Sequence, residues 1–184
     1  MHPIQLPVQT ASLRLRWLSV EEAERMMELN AEPSTRRWLP SHVYADLNQA
    51  TTRMQYLVGC YSSPGDPRLG PYVLGIEHMD NGALIGHVGF SPFDTDVEVS
   101  YAIAEGARGH GYGSEALLCA CKWAATTFNL STLLALTEAE NVPSRRTLEH
   151  ATFVHQGDIV MKFQGKEEMV SRYLWHRAQG PRLE

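Results

Sequence analysis

VEVSYAIAEGARGHGYGSEALLCACKWAATTF, residues 97–128, is the stretch on which the fold turns. At its start Val97, Val99, Tyr101 and Ile103 share one face of a strand, and Glu98, Ser100, Ala102 and Ala104 share the other. Toward its end Leu117, Leu118, Cys121, Ala124, Ala125 and Phe128 recur at helical spacing. Between them lies Arg108-Gly109-His110-Gly111-Tyr112-Gly113, followed by Ser114. A glycine-rich turn that runs into a helix collects backbone N–H groups on one concave surface, where the helix dipole adds partial positive charge. That suits a phosphate or pyrophosphate. Glycine also lets a ligand approach the main chain where a Cβ would obstruct it. The same turn would equally serve as a bare strand-to-helix connection.

Two phosphate-binding classes are excluded by spacing. No lysine follows the last glycine, so the loop is not the GxxxxGK[ST] of nucleotide hydrolases. The glycines fall at 109, 111 and 113 rather than as GxGxxG. The strand before them belongs to a meander rather than a βαβ unit, which disfavours a dinucleotide site. A general nucleotide-binding fold remains as a third reading.

Outward from this stretch, Tyr72–Met79 and Ala83–Phe90 read as strands around the hairpin signal Asp80-Asn81-Gly82. The turn Phe93–Asp96 leads back into the strand at 97–104, completing an antiparallel meander. Downstream, a strand at 132–137, a short helix at 143–150 and strands near 153–161 and 168–176 are predicted. Upstream, Leu13, Leu15 and Trp17 alternate with Arg14 and Arg16 as a half-buried strand. Ser19 and Glu22 have capping-box spacing and open a helix that Pro33 ends. RRWLPSHVY reads as irregular, and a second helix spans about 46–60. Residues 61–71, with three prolines and two glycines, form a loop within the domain rather than a linker. The reading is α+β around one core: a loose arm at 1–11, one domain at 12–177 and a tail at 178–184.

The chain has 184 residues, a one-domain length, with 16 basic against 21 acidic residues and a net charge of -5. That balance argues against general nucleic-acid binding. Cys60, Cys119 and Cys121 are too few, and odd in number, for a disulfide framework, and read as core thiols in a reducing cytoplasm. The histidines lack metal-ligand spacing such as HExxH, so no metal is expected. No signal sequence or membrane span is expected either.

Four blocks in register resemble the GNAT superfamily of acyl-CoA-dependent N-acetyltransferases. LRLRWLSVEEAERM is similar to that family's first strand and helix, and IGHVGFSP to its third strand. VEVSYAIAEGARGHGYGSEAL is similar to its fourth strand, [Q/R]xxGx[G/A] pyrophosphate loop and following helix. ENVPSRRTLEHATF is similar to its NxxSxxxLExxGF segment. The match spans about residues 11–177 and most resembles the ribosomal-protein-alanine acetyltransferase-like branch. It implies a mixed, mostly antiparallel sheet, splayed between the fourth and fifth strands, with helices on both faces. It also implies transfer of an acetyl group from acetyl-CoA to a primary amine, at a protein N-terminus or on a small molecule. A non-catalytic acyl-CoA-binding module of the same fold is the alternative, and a homodimer stays open.

Acetylation needs a neutral amine, and therefore a base. Glu98, flanked by small side chains, is the candidate, against a solvated or ion-paired strand carboxylate. By resemblance, the main chain of Ala102, Ile103 and Ala104 would bond the pantetheine arm and polarise the thioester carbonyl. Arg108, Gly109, His110, Gly111, Tyr112, Gly113 and Ser114 would hold the pyrophosphate. Asn141 would contact the cofactor. Ser144 is either the cap of the short helix or an acid for the leaving thiolate. Arg145 and Arg146 are candidates for the adenosine 3′-phosphate, Arg146 the preferred one. His87 reads as a structural histidine near the acceptor side. Trp38, Tyr44 and Phe90 read as pocket wall or core. Two positions depart from the family pattern: Thr152 replaces a glycine, so the turn after the short helix must differ or carry strain, and Ser100 replaces a glycine and narrows the cleft beside Glu98.

Overall fold

The computed structural model describes residues 5–177. The expected tail at 178–184 lies outside them. Eight strands form one sheet, in the order β1-β2-β3-β4-β5-β6-β8-β7. They are β1 Val8–Gln9, β2 Leu13–Trp17, β3 Tyr72–His78, β4 Leu84–Phe93, β5 Asp96–Ile103, β6 Thr132–Glu138, β7 Val154–Phe163 and β8 Lys166–His176. All neighbours pair antiparallel except β5 and β6.

The helices are α1 Ala23–Ala31, α2 Pro33–Trp38, α3 Leu47–Cys60, α4 Tyr112–Thr127 and α5 Val142–His150. Leu117, Ala120, Cys121 and Ala124 of α4 pack with Leu15, Leu74, Val88 and Val99 as the main core, to which Leu148 of α5 also belongs. Met26 and Leu29 of α1 pack with Met54 and Leu57 of α3 against Leu18, Leu84 and Ala104 as a second core. The sheet is therefore covered on both sides. Burying each such leucine or methionine stabilises the fold by roughly 1.5–3 kcal/mol.

The structure corrects the sequence reading in two places. Val8 and Gln9 pair with Leu15 and Arg14, so the arm expected to be loose carries a strand. Pro33 ends α1 but also begins α2, whose last three residues, Arg36–Trp38, fall in the stretch expected to be irregular. Proline fits the first helical turn because its missing N–H is not needed there. α2 buries only Thr35, so hydrophobic periodicity could not reveal it. The expected capping box does form: Ser19 N–H donates to Glu22 Oε2 at 2.9 Å, at the head of a 3-10 turn that leads into α1.

Candidate active site

β5 and β6 share a single register pair, Glu98 with Leu134, and then diverge. The fork opens into a cleft of about 710 Å³, lined by β5, the glycine loop, β6, the start of α5 and α2. Ladder parity decides which main-chain groups face the gap. Ala104 N–H donates to Ile85 C=O across β4 at 2.8 Å. In an antiparallel ladder every second residue exchanges bonds with the same neighbour. Ala102 and Ser100, opposite His87 and Gly89, therefore also turn their main chain toward β4. The peptide groups facing the fork beyond Glu98 are those of Tyr101 and Ile103. This corrects the expected backbone contacts: of Ala102, Ile103 and Ala104, only Ile103 presents its main chain to the gap. Ala102 still lines the cleft through its side chain, and Ala104 does not line it.

The glycine loop has the geometry of a cradle. Gly109 and Gly111 both sit at φ +82°, a conformation that L side chains rarely adopt, and Gly111 is the left-handed N-cap of α4. The first intrahelical bond is Glu115 N–H to Gly111 C=O at 3.1 Å. The N–H groups of Tyr112, Gly113 and Ser114 thus belong to the first turn, which has no helical acceptors. Gly113 is held close to α5, where a Cβ would lie 3.2 Å from Thr147 Cγ2. Arg108 ties the loop to the fork: its Nε donates to Ile103 C=O at 2.8 Å, and its Nη2 lies 3.6 Å from Glu32. Ser114 Oγ donates to Gly111 C=O at 2.9 Å. His110 is exposed and stacks on Tyr112, outside the cleft lining.

Glu98 lines the cleft, and its carboxyl makes no hydrogen bond or ion pair among the described residues. Burial pushes its carboxyl up to about 7. Ser144, on the opposite wall, is not the helix cap. Asn141 is the cap, with Oδ1 accepting from Ser144 N–H at 3.2 Å. The Ser144 hydroxyl is instead 3.1 Å from Tyr101 Oη. Burial raises the Tyr101 phenol, so it stays protonated as a donor. Tyr101 was missed as a site residue. The signal was a hydroxyl on an otherwise aliphatic stripe, because a buried tyrosine usually seeks a polar partner. Arg145 turns away, donating to Tyr173 Oη and Ala139 C=O. Arg146 is exposed, makes no hydrogen bond or ion pair among the described residues, and lies outside the cleft lining.

The mouth of the cleft is crossed by the β7–β8 hairpin, whose Gln164 Nε2 donates to Trp38 C=O at 2.8 Å. Trp38 walls the cleft, and Phe90 is core. A smaller cavity of about 380 Å³ shares Ser41, His42 and Ser100 with the cleft and includes Tyr44. Its floor holds His87, 3% exposed, with Nε2 3.2 Å from Asn30 Oδ1. Burial, with His42 nearby, pushes His87 down to about 3, so it is neutral. Among the described residues no helix is long and apolar enough to cross a membrane, and no cluster of His, Cys, Asp or Glu could hold a metal ion.

A family model for the acetyltransferase (GNAT) domain matches residues 12–154. The chain is 24% identical over 169 residues to an uncharacterized N-acetyltransferase p20 of Bacillus licheniformis, covering 90% of this chain and 92% of that protein. Its fold is similar to that of the ribosomal-protein-S5-alanine acetyltransferase from Vibrio fischeri, with TM-score 0.79, 16% identity and coverage of 95% of this chain and 98% of the other. It is also similar to Mycobacterium smegmatis RimJ in complex with CoA-disulfide, with TM-score 0.74, 17% identity and coverage of 89% and 81%. The family match takes in the meander, the fork, the cradle and the capped helix that together form the cleft. On that match the chain belongs to the acetyltransferase (GNAT) domain family.

Proposed function

We propose that the protein transfers an acetyl group from acetyl-CoA to a primary amine by direct attack in a ternary complex. The observation that carries this is a carboxyl poised near neutrality, Glu98, at the mouth of a strand fork that ends in a phosphate cradle. The loop N–H groups from Gly109 to Ser114 take the pyrophosphate. The edges of β5 and β6 beyond the fork take the pantetheine arm. The main chain of Tyr101 or Ile103 supplies an N–H to the thioester carbonyl as negative charge develops on its oxygen. Glu98 accepts the proton of the attacking amine, directly or through water. The C–N bond forms, the C–S bond breaks, and the departing thiolate takes a proton from the Tyr101–Ser144 hydroxyl pair. The likeness to a ribosomal-protein-S5-alanine acetyltransferase supports a protein acceptor, in this reading a protein N-terminus, with small amines as the other class. The three cysteines are free thiols, which supports a reducing, cytoplasmic setting.

Thiol release from acetyl-CoA, measured across a panel of amines and peptide N-termini, tests the reading. Release should depend on the acceptor, and kcat/KM should rise with pH through about 7 as Glu98 loses its proton. Glu98→Gln should lose about 100-fold or more in kcat, the typical share of a general base, while CoA still raises the melting temperature. CoA binding without acceptor-dependent thiol release from any amine would assign the chain to non-catalytic acyl-CoA binding instead.

A further inference from the structure

We infer that the 380 Å³ cavity beside Ser100 is an acceptor pocket selective for amines that carry a carboxylate, with Arg53 as its anion-binding residue. This rests on the acyl-transfer reading above and names its substrate class. The cavity lies between the sheet and helices α1 and α3, on the same face of β5 as Glu98. Ser100 is two residues beyond Glu98, a separation of roughly 6.6 Å along a strand. It lines both the cavity and the main cleft, as do Ser41 and His42, so the two spaces adjoin. In the proposed pose, an amine held at Glu98 extends its substituent past Ser100. Gly89, across from Ser100, keeps that passage open, since a Cβ there would lie 3.4 Å from Ser100 Oγ and 3.2 Å from Val73 Cγ2.

The lining sets the sign of the substituent. It contains no carboxylate. Its two imidazoles, His42 and His87, have ring centroids 5.7 Å apart, and both are held neutral, principally by burial. Arg53 is the one permanent charge in the lining. Its guanidinium sits 4.9 Å from the Tyr56 ring centroid and makes no ion pair among the described residues. A carboxylate entering the cavity gains a charge-assisted partner in Arg53 and neutral donors in Asn30, Tyr44 and Gln49. A second ammonium would be desolvated beside Arg53 with no counter-charge. The volume lies near the lower end for ligand pockets, so it suits one short side chain rather than a polymer. This pocket is thus locally cationic, although the chain as a whole carries a net charge of -5.

The test uses three tetrapeptide amides of sequence Ser-X-Ala-Ala, with X as Glu, Gln or Lys, together with free glutamate. Each is measured by calorimetric titration onto the CoA-bound protein and by thiol release from acetyl-CoA. The Glu peptide should bind and react with roughly tenfold or greater preference over the Lys peptide. Arg53→Glu should reverse that ratio, and the ratio is insensitive to any general loss of folded protein. Free glutamate separates an amino-acid source of the carboxylate from a peptide source: parity with the Glu peptide identifies the small molecule. Turnover without charge preference, a ratio unchanged by Arg53→Glu, or no binding by any of the four would overturn the pocket. Charge-selective binding without turnover would uphold the pocket and overturn the transfer reaction instead.

Discussion

Replacing Glu98 with glutamine should make the protein more stable, and by an amount that depends on pH. Burial holds this carboxyl near pH 7 rather than near 4.5, so its charged form is penalised in the folded state. At 1.36 kcal/mol per unit, the full penalty is about 3 kcal/mol. Well below pH 4.5 the group is protonated in both states and the penalty vanishes. Between 4.5 and 7 the unfolded chain loses the proton that the native state keeps, and stability falls as pH rises. Above 7 the native carboxyl ionises as well and the penalty is fully present. The linkage relation gives about 1 kcal/mol at pH 5 and about 3 kcal/mol at pH 8. For a chain of this length each kcal/mol moves Tm by roughly 2–4 °C. Glu98→Gln should therefore raise Tm at pH 8 by about 5–10 °C more than at pH 5. Differential scanning fluorimetry of both proteins without ligand measures it. The difference of differences cancels groups that titrate alike in both proteins. An equal shift at the two pH values, or a variant less stable at pH 8, would refute the claim that burial alone sets this carboxyl.

Two further outcomes follow from the site and its supports. Thr152 stands at φ +68° after α5, with Thr152 N–H bonded to Glu149 C=O and Phe153 N–H bonded to Leu148 C=O, the double bond of a Schellman cap. Thr152→Gly should remove about 1–2 kcal/mol of left-handed strain, offset by up to about 1 kcal/mol of added unfolded-state entropy, and so raise Tm by a few degrees; a fall in Tm would contradict it. Tyr101→Phe breaks the 3.1 Å contact with the Ser144 hydroxyl and should lower kcat by about tenfold or more while leaving the CoA-induced shift in Tm intact. Unchanged turnover in that variant would remove the hydroxyl pair from thiolate protonation.

The parts legible in sequence are those whose cause is local. The alternation at 97–104, the glycines at 109 and 111 and the helical spacing that follows are each fixed by near neighbours, and β5, the loop and α4 came out as expected. Cap geometry was half legible: N-x-x-S at 141–144 announced a helix start, but only the structure shows that Asn141 caps it and frees Ser144 to meet Tyr101. The acceptor side was not legible. It is assembled from α2, the 39–44 segment, Asn30 and Arg53, which meet only after α1 and α3 pack on the sheet. α2 buries one residue, and two-residue β1 exists only because β2 offers it an edge. Backbone parity was also beyond reach, because which peptides face the fork depends on the β4–β5 register.

That register makes the proposed reaction centre a matter of odd and even. The odd peptides Tyr101 and Ile103 face the fork, and every even side chain from Glu98 to Ala102 faces the α1–α3 side. Deleting one residue from β5 upstream of Glu98 would exchange both sets at once, sending the carboxyl toward α4 and the fork-facing donors back to β4. A two-residue change would restore the order at the cost of length. The Asp94–Thr95 turn, by contrast, can be rebuilt without touching parity. Lineages of this domain are thus free to vary the length of its turns, while single-residue insertions and deletions within β5 should be purged whatever the residue involved.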